Sequence, residues 1–177
     1  MTESDDLVRI INGCKAGEAE SFQKLIDIYA GRCYGYFYRL TGSRETSDDL
    51  LGELFVKLVA KIGSFRGGAF ESWLFKIASN VFYDYLRDKQ QRRRVLEARE
   101  KQLKSKAIEA KKSEVEQIDK LQMQLEKLDA ETREVIMLRF YSELRFKEIA
   151  EMRSEPIGTT LSKVHRGLKK LRELMEQ

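Results

Sequence analysis

Along most of this chain apolar residues recur in steps of three and four, the spacing that lines one face of an α-helix. No convincing alternation of apolar and polar positions bounded by turn residues interrupts them, so the pattern predicts an all-α fold. Phe22, Leu25, Ile26, Ile28 and Tyr29 begin a helix that runs on through Tyr36 and Phe37 to Leu40, where Thr41-Gly42 stops it. Ser43 is placed to cap the next helix, with Glu45 favoured by the dipole in its first turn. Its buried stripe is Leu50, Leu51, Leu54, Phe55, Leu58, Val59 and Ile62, and its opposite face carries Asp48, Asp49, Glu53 and Lys57. A loop with three glycines, Gly63, Gly67 and Gly68, comes next. Beyond it Phe70, Trp73, Leu74, Ile77, Ala78, Val81, Phe82, Tyr85 and Leu86 form the cleanest stripe in the chain, with Lys76, Asn80, Tyr83 and Arg87 on the other face.

The pattern changes character twice. Residues 1–95 are rich in aromatic side chains, whereas 96–117 have none and carry eleven charges, six basic and five acidic. So polar a stretch has little apolar surface to set against its ordering entropy and reads as a linker or a loosely docked helix. Apolar periodicity returns over 118–177, which hold the chain's one proline. The expectation is two small helical domains, 1–95 and 118–177, joined by a tether.

Composition narrows the function by exclusion. The 177 residues are 42% apolar and 35% charged, with a net charge of +4. The opening MTESDDLVRI has acids where a secretion signal needs basic and then apolar residues, and no run approaches the ~18 apolar residues of a membrane span. A cytoplasmic protein with no direct membrane insertion is expected. Cys14 and Cys33 lie nineteen positions apart and His165 is the one histidine, so no Cys/His metal site assembles. Both cysteines read as small buried apolar residues. Phosphate-binding glycine motifs and a nucleophile elbow are missing too, so neither an enzyme nor a cofactor is expected.

Charge then changes the picture. Residues 85–94 hold five basic side chains, Arg87, Lys89, Arg92, Arg93 and Arg94, against the single acid Asp88. Beside exposed aromatic groups such a positive helix end suits nucleic acid, where cations neutralise phosphate and rings stack on unpaired bases; a merely solvated helix end is the plainer alternative. Residues 156–172 contain Lys163, Arg166, Lys169, Lys170 and Arg172 and no acid. With Phe146, Ile149, Ala150 and Met152 before them and a break at Ser154-Glu155-Pro156, they read as a helix-turn-helix. Val164, Leu168, Leu171 and Met175 are the residues expected to hold its second helix down. An ordinary helical hairpin fits the same pattern. The acidic Asp48-to-Lys57 face suits a basic protein partner or plain solvation.

These stretches together, FQKLIDIYAGRCYGYFYRLTGSRETSDDLLGELFVKLV, FRGGAFESWLFKIASNVFYDYLR, LEKLDAETREVIMLRFYSELRFKEIAEM and PIGTTLSKVHRGLKKLRE, resemble an extracytoplasmic-function sigma factor of bacterial RNA polymerase. The resemblance covers nearly all of the chain outside the tether. It implies a promoter-directed transcription initiation factor with region 2 in 1–95 and region 4 in 118–177. It implies core RNA polymerase as a partner, through the β′ coiled coil and the β flap, together with promoter DNA and an anti-sigma factor. Asp48, Asp49, Leu50, Glu53 and Phe55 match the helix that docks on the β′ coiled coil. Phe65 and Arg66 match the loop that accepts a flipped base, and Lys76, Asn80, Tyr83 and Arg87 the helix that melts and reads the minus-ten element. Trp73 falls on that helix too, but on its apolar stripe. Gly158, Thr159, Ser162, Lys163, His165 and Arg166 match the minus-35 recognition helix.

Three departures stand out: Gly52 where the family usually has Gln, Arg153-Ser154 where it has an aliphatic-glycine pair, and Thr160-Leu161 where an aliphatic precedes a basic residue. The last leaves open whether position 160 or 161 faces DNA, and predicts altered or weakened minus-35 specificity. A sigma-like adaptor that binds polymerase or an anti-sigma protein without directing initiation is the alternative reading.

Overall fold

The computed structural model describes residues 3–102 and 120–176, with backbone alone for 3, 4 and 97–102. The described residues form eight α-helices and one short 3₁₀ turn, with no strand among them. The first four helices are α1 (Glu3–Lys15), α2 (Ala19–Thr41), α3 (Arg44–Lys61) and α4 (Phe70–Gln102). The second group is α5 (Lys120–Leu125), α6 (Ala130–Phe140), α7 (Phe146–Arg153) and α8 (Ile157–Met175).

Local chemistry sets the boundaries. α2 ends because Gly42 turns left-handed, at φ 69°, and donates its N–H to the Tyr38 carbonyl at 2.8 Å. Ser43 then accepts a hydrogen bond from the Thr46 N–H at 3.2 Å and starts α3. Gly67 and Gly68, at φ 103° and 94°, make the loop before α4 in a conformation that L side chains rarely adopt. Asp129 caps α6 through the Thr132 N–H at 2.8 Å. α7 ends on Ser154 in the left-handed region, and Pro156 precedes α8.

The core of the first module is aromatic. Tyr36, Phe37 and Phe75 are fully enclosed, and Leu25, Leu54, Leu58, Leu74, Ala78, Val81 and Phe82 fill the space between α2, α3 and α4. Each such Leu or Phe contributes roughly 1.5–3 kcal/mol on burial. Val59, expected inside, is exposed at 53%, because α3 buries a narrower stripe than its sequence offers, and Ile28 of α2 is exposed at 48%. The second module is aliphatic, built on Leu125, Leu128, Val135, Ile136, Leu138, Leu144, Ile149 and Val164.

One expectation changes, at the second helix of the helix-turn-helix. α8 turns inward on Thr160, Val164, Gly167 and Leu171, while Leu168 and Met175 are 38% and 37% exposed. Gly167 causes the rotation: α6 approaches so closely that a Cβ there would meet Thr132 Cγ2 at 2.4 Å and Ile136 Cδ1 at 2.7 Å. The expected tether 96–117 lies outside the described residues beyond Gln102, and up to that point α4 continues through it as helix. The modules do not lie apart. α5 and α6 pack on α2 and α7 packs on α4, so that one continuous core spans both.

Candidate nucleic-acid and polymerase interfaces

Three surfaces carry the residues singled out in the sequence. On α3, Asp48, Asp49 and Glu53 are exposed, Phe55 is half-buried, and Leu50 points into the core at 4% exposure. Lys57 bridges Glu53 at 2.7 Å and Asp84 of α4 at 3.0 Å, and these hydrogen bonds, Glu53's first, hold the lysine above its ordinary pKa. Gly52 is exposed between the acids, and Val56 on the same helix is exposed as well.

The glycine loop and α4 make the second surface. Phe65 is buried, its ring 5.4 Å from Phe70 and 5.3 Å from Trp73, so it anchors the loop. Arg66 is exposed at the rim of a cavity of about 500 Å³ that Ile11, Asn12, Lys15 and Phe70 also line. Lys76, Asn80, Arg87, Lys89 and Arg92 to Arg94 are exposed along α4, with Arg87 paired to Asp84. Tyr83 is different. It is half-buried, donates to Glu134 at 2.8 Å and accepts from Arg153 at 3.2 Å, both residues of the second module. Burial and the Glu134 carboxylate push its hydroxyl above the ordinary tyrosine value despite Arg153.

α8 makes the third. Gly158, Thr159, Ser162, His165 and Arg166 are exposed along it. Lys163 is held by Glu155 at 2.7 Å and Glu131 at 3.0 Å; although burial pulls its pKa down, these bonds keep it raised. Thr160 is fully buried and donates to Glu155 at 2.8 Å, whereas Leu161 is 44% exposed, so position 161 is the outward one. Cys14 and Cys33 are free and buried, and burial pushes the Cys33 thiol up to about 12, which removes it as a nucleophile. Among the described residues no group of His, Cys, Asp or Glu is placed to hold a metal. No described helix is long and apolar enough to cross a membrane.

Periodicity gave no hint of Glu134, Arg153, Tyr36 and Ser79 as a set. Glu134 is fully buried in the apolar run of α6, where it accepts from Tyr36 at 3.1 Å, Tyr83, Ser79 and Arg153. The one local clue is a glutamate directly before Val135, Ile136, Met137 and Leu138.

The aromatic bundle with its basic helix, followed by a helix-turn-helix, defines a DNA-associated helical protein of two modules. The Sigma-70 region 2 family matches residues 25–93 and the Sigma-70, region 4 family residues 118–171. The chain is 29% identical to the ECF RNA polymerase sigma factor SigW of Bacillus subtilis, over 92% of this chain and 93% of that one. It is 31% identical to the RNA polymerase sigma factor YlaC of Bacillus subtilis, over 86% and 88%. Among solved structures, the sigma factor RpoE of Bartonella quintana, in complex with the anti-sigma factor NepR, superposes with a TM-score of 0.71 at 27% identity, covering 89% of this chain and 98% of that one. This chain belongs to the extracytoplasmic-function branch of the sigma-70 family, and its function is promoter-specific initiation of transcription.

Proposed function

We propose that the three surfaces divide the work of initiation. The α3 face, with Asp48, Asp49, Glu53 and Phe55 outward and Leu50 holding the helix to its core, docks on the β′ coiled coil of core polymerase. Arg66 and the loop anchored by Phe65, with Lys76, Asn80, Tyr83 and Arg87 of α4, trap and read unpaired minus-ten bases. Gly158, Thr159, Ser162, Lys163, His165 and Arg166 of α8 address the minus-35 duplex, while 118–177 also meets the β flap. Residues 1–95 and 118–177 act as the two modules and 96–117 as their connection. The separation of charge carries this reading: acids face outward on α3, and cations line α4 and α8.

Melting is driven by binding free energy, with no covalent step at a side chain and no cofactor. Linked modules gain effective concentration, so each binds DNA weakly alone and the pair binds well. The relative solved with NepR supports an anti-sigma protein as a partner of this chain too. Runoff transcription with purified core polymerase tests the whole reading, using a promoter selected from random DNA by the holoenzyme. Tyr83→Ala is expected to reduce permanganate-reactive thymines at the start site with less change in upstream contact. Arg166→Ala is expected to weaken upstream duplex binding; full opening by the first variant and unchanged upstream affinity in the second would refute these assignments.

A further inference from the structure

The two modules share one apolar core and are joined by polar groups as well. Glu134 of α6 is completely buried and accepts four donors, of which Tyr36, Ser79 and Tyr83 come from the first module and Arg153 from α7. Around this centre run three side-chain bonds to backbone: Arg32 to the Ser142 carbonyl at 2.7 Å, Arg133 to the Leu40 carbonyl at 2.6 Å and Gln122 to the Arg39 carbonyl at 3.4 Å. Lys76 of α4 shares a cleft of about 550 Å³ with Glu148, Glu151 and Met152 of α7. The same face of α4 therefore points at carboxylates of the chain's own second module, where phosphates would otherwise lie.

We propose that Glu134 and Arg153 form a buried intramolecular latch that holds the free chain closed, with α7 covering part of the DNA-reading face of α4. The inference rests on the assignment of α4 to DNA. Its physical basis is the dependence of a buried ion pair on complete partnering. With Arg153 in place the Glu134 carboxylate is fully satisfied in the closed form; without it, an unpaired buried charge is left that only water can solvate, and water reaches it when the modules part. Tyr83 has two mutually exclusive uses, as a donor to Glu134 in the closed form and as a base-contacting ring in the open one. Assembly with polymerase must break the latch, since the two promoter elements require the modules to be apart.

The test compares the full-length chain with Arg153→Leu and Arg153→Lys, neither of which alters a proposed DNA- or polymerase-contacting residue. Small-angle scattering reads closure, and anisotropy with a labelled random-sequence single-stranded 12-mer reads access to α4. The wild type is expected to be compact. Arg153→Leu is expected to keep its helical circular dichroism, to expand, and to bind the oligonucleotide about tenfold tighter, a change of ~1.4 kcal/mol; Arg153→Lys stays close to wild type. If Arg153→Leu loses its helical signal, the pair Tyr36→Phe with Ser79→Ala, which removes two donors and leaves Glu134 paired to Arg153, decides by the same two readouts. An extended wild type, or a helical Arg153→Leu of unchanged dimensions, overturns the latch. Expansion with unchanged oligonucleotide affinity overturns its masking of DNA. Runoff by the wild-type holoenzyme judges the assignment of α4 independently, because scattering requires no promoter.

Discussion

The two modules enclose their cores with different materials. The first buries Tyr29, Tyr36, Phe37, Phe65, Phe70, Phe75 and Phe82, and its rings meet edge-on or tilted, as Tyr36 does with Phe37 and Phe75 at 5.4 Å. The second buries aliphatic side chains and leaves two of its three aromatic ones exposed, Phe140 at 56% and Tyr141 at 39%, while Phe146 packs half-buried against the core. Large rings on long helices supply most of the buried volume of the first module's part of the core. The second, assembled from helices of six, eleven, eight and nineteen residues, completes itself against α2 and α4 and buries a glutamate in doing so. Enclosed aromatic packing underlies the surfaces proposed for polymerase docking and base trapping, and the buried polar contacts lie between the modules.

The contrast breaks first at Phe37. Truncating this fully enclosed ring to alanine is expected to lower stability by ~3–5 kcal/mol in urea denaturation, whereas Phe140→Ala on the exposed ring stays within ~0.5 kcal/mol; similar losses at both positions would dissolve the distinction. Next comes Gly167→Ala, whose methyl group has no room against Thr132 and Ile136. A loss of ~1–3 kcal/mol is expected, read as faster amide exchange in α6 and α8 with α2 unaffected. Ser43→Ala and Asp129→Ala each remove one helix cap, at ~1 kcal/mol apiece, and thermal melts of the two variants should agree to within a few tenths.

The smallest effect is acid sensitivity at the α7–α8 turn. Burial pushes the Glu155 carboxyl up, but the hydrogen bonds from Lys163 and Thr160 and the charge of Arg153 outweigh it and hold the group below its ordinary 4.5. A depressed folded-state value contributes stability above the unfolded value, and that contribution disappears as pH falls through the folded one. Amides of the turn should lose protection below about pH 4.5, and Glu155→Gln should remove that dependence.

Much of this architecture is legible in the sequence alone. The stop at Thr41-Gly42, the Ser43 cap, the glycine loop and the stripe of α4 each follow from chemistry local to a few residues. What escaped was non-local. Leu168 and Met175 looked inward because they are apolar at the right spacing, while Gly167, which sets the rotation of α8, has no side chain to register in a periodicity. Arg153 stood out only as a departure from its family, and its partners lie 19 residues away at Glu134 and 70 at Tyr83. The division of residues between exposed faces was readable; Tyr83, Lys163 and Phe65 were named without any sign that internal partners already engage them.

Leu161 has a last consequence. An outward aliphatic side chain can exchange no hydrogen bond with the edge of a base pair, so what it can favour in the major groove is the C5 methyl group of a pyrimidine. The upstream element should therefore tolerate 5-methylcytosine in place of thymine beneath this residue and penalise unmodified cytosine there. A fall in that preference on replacing Leu161 with alanine would mark the base pair it touches, which makes cytosine methylation a direct ruler for the register proposed for α8 on the upstream promoter element.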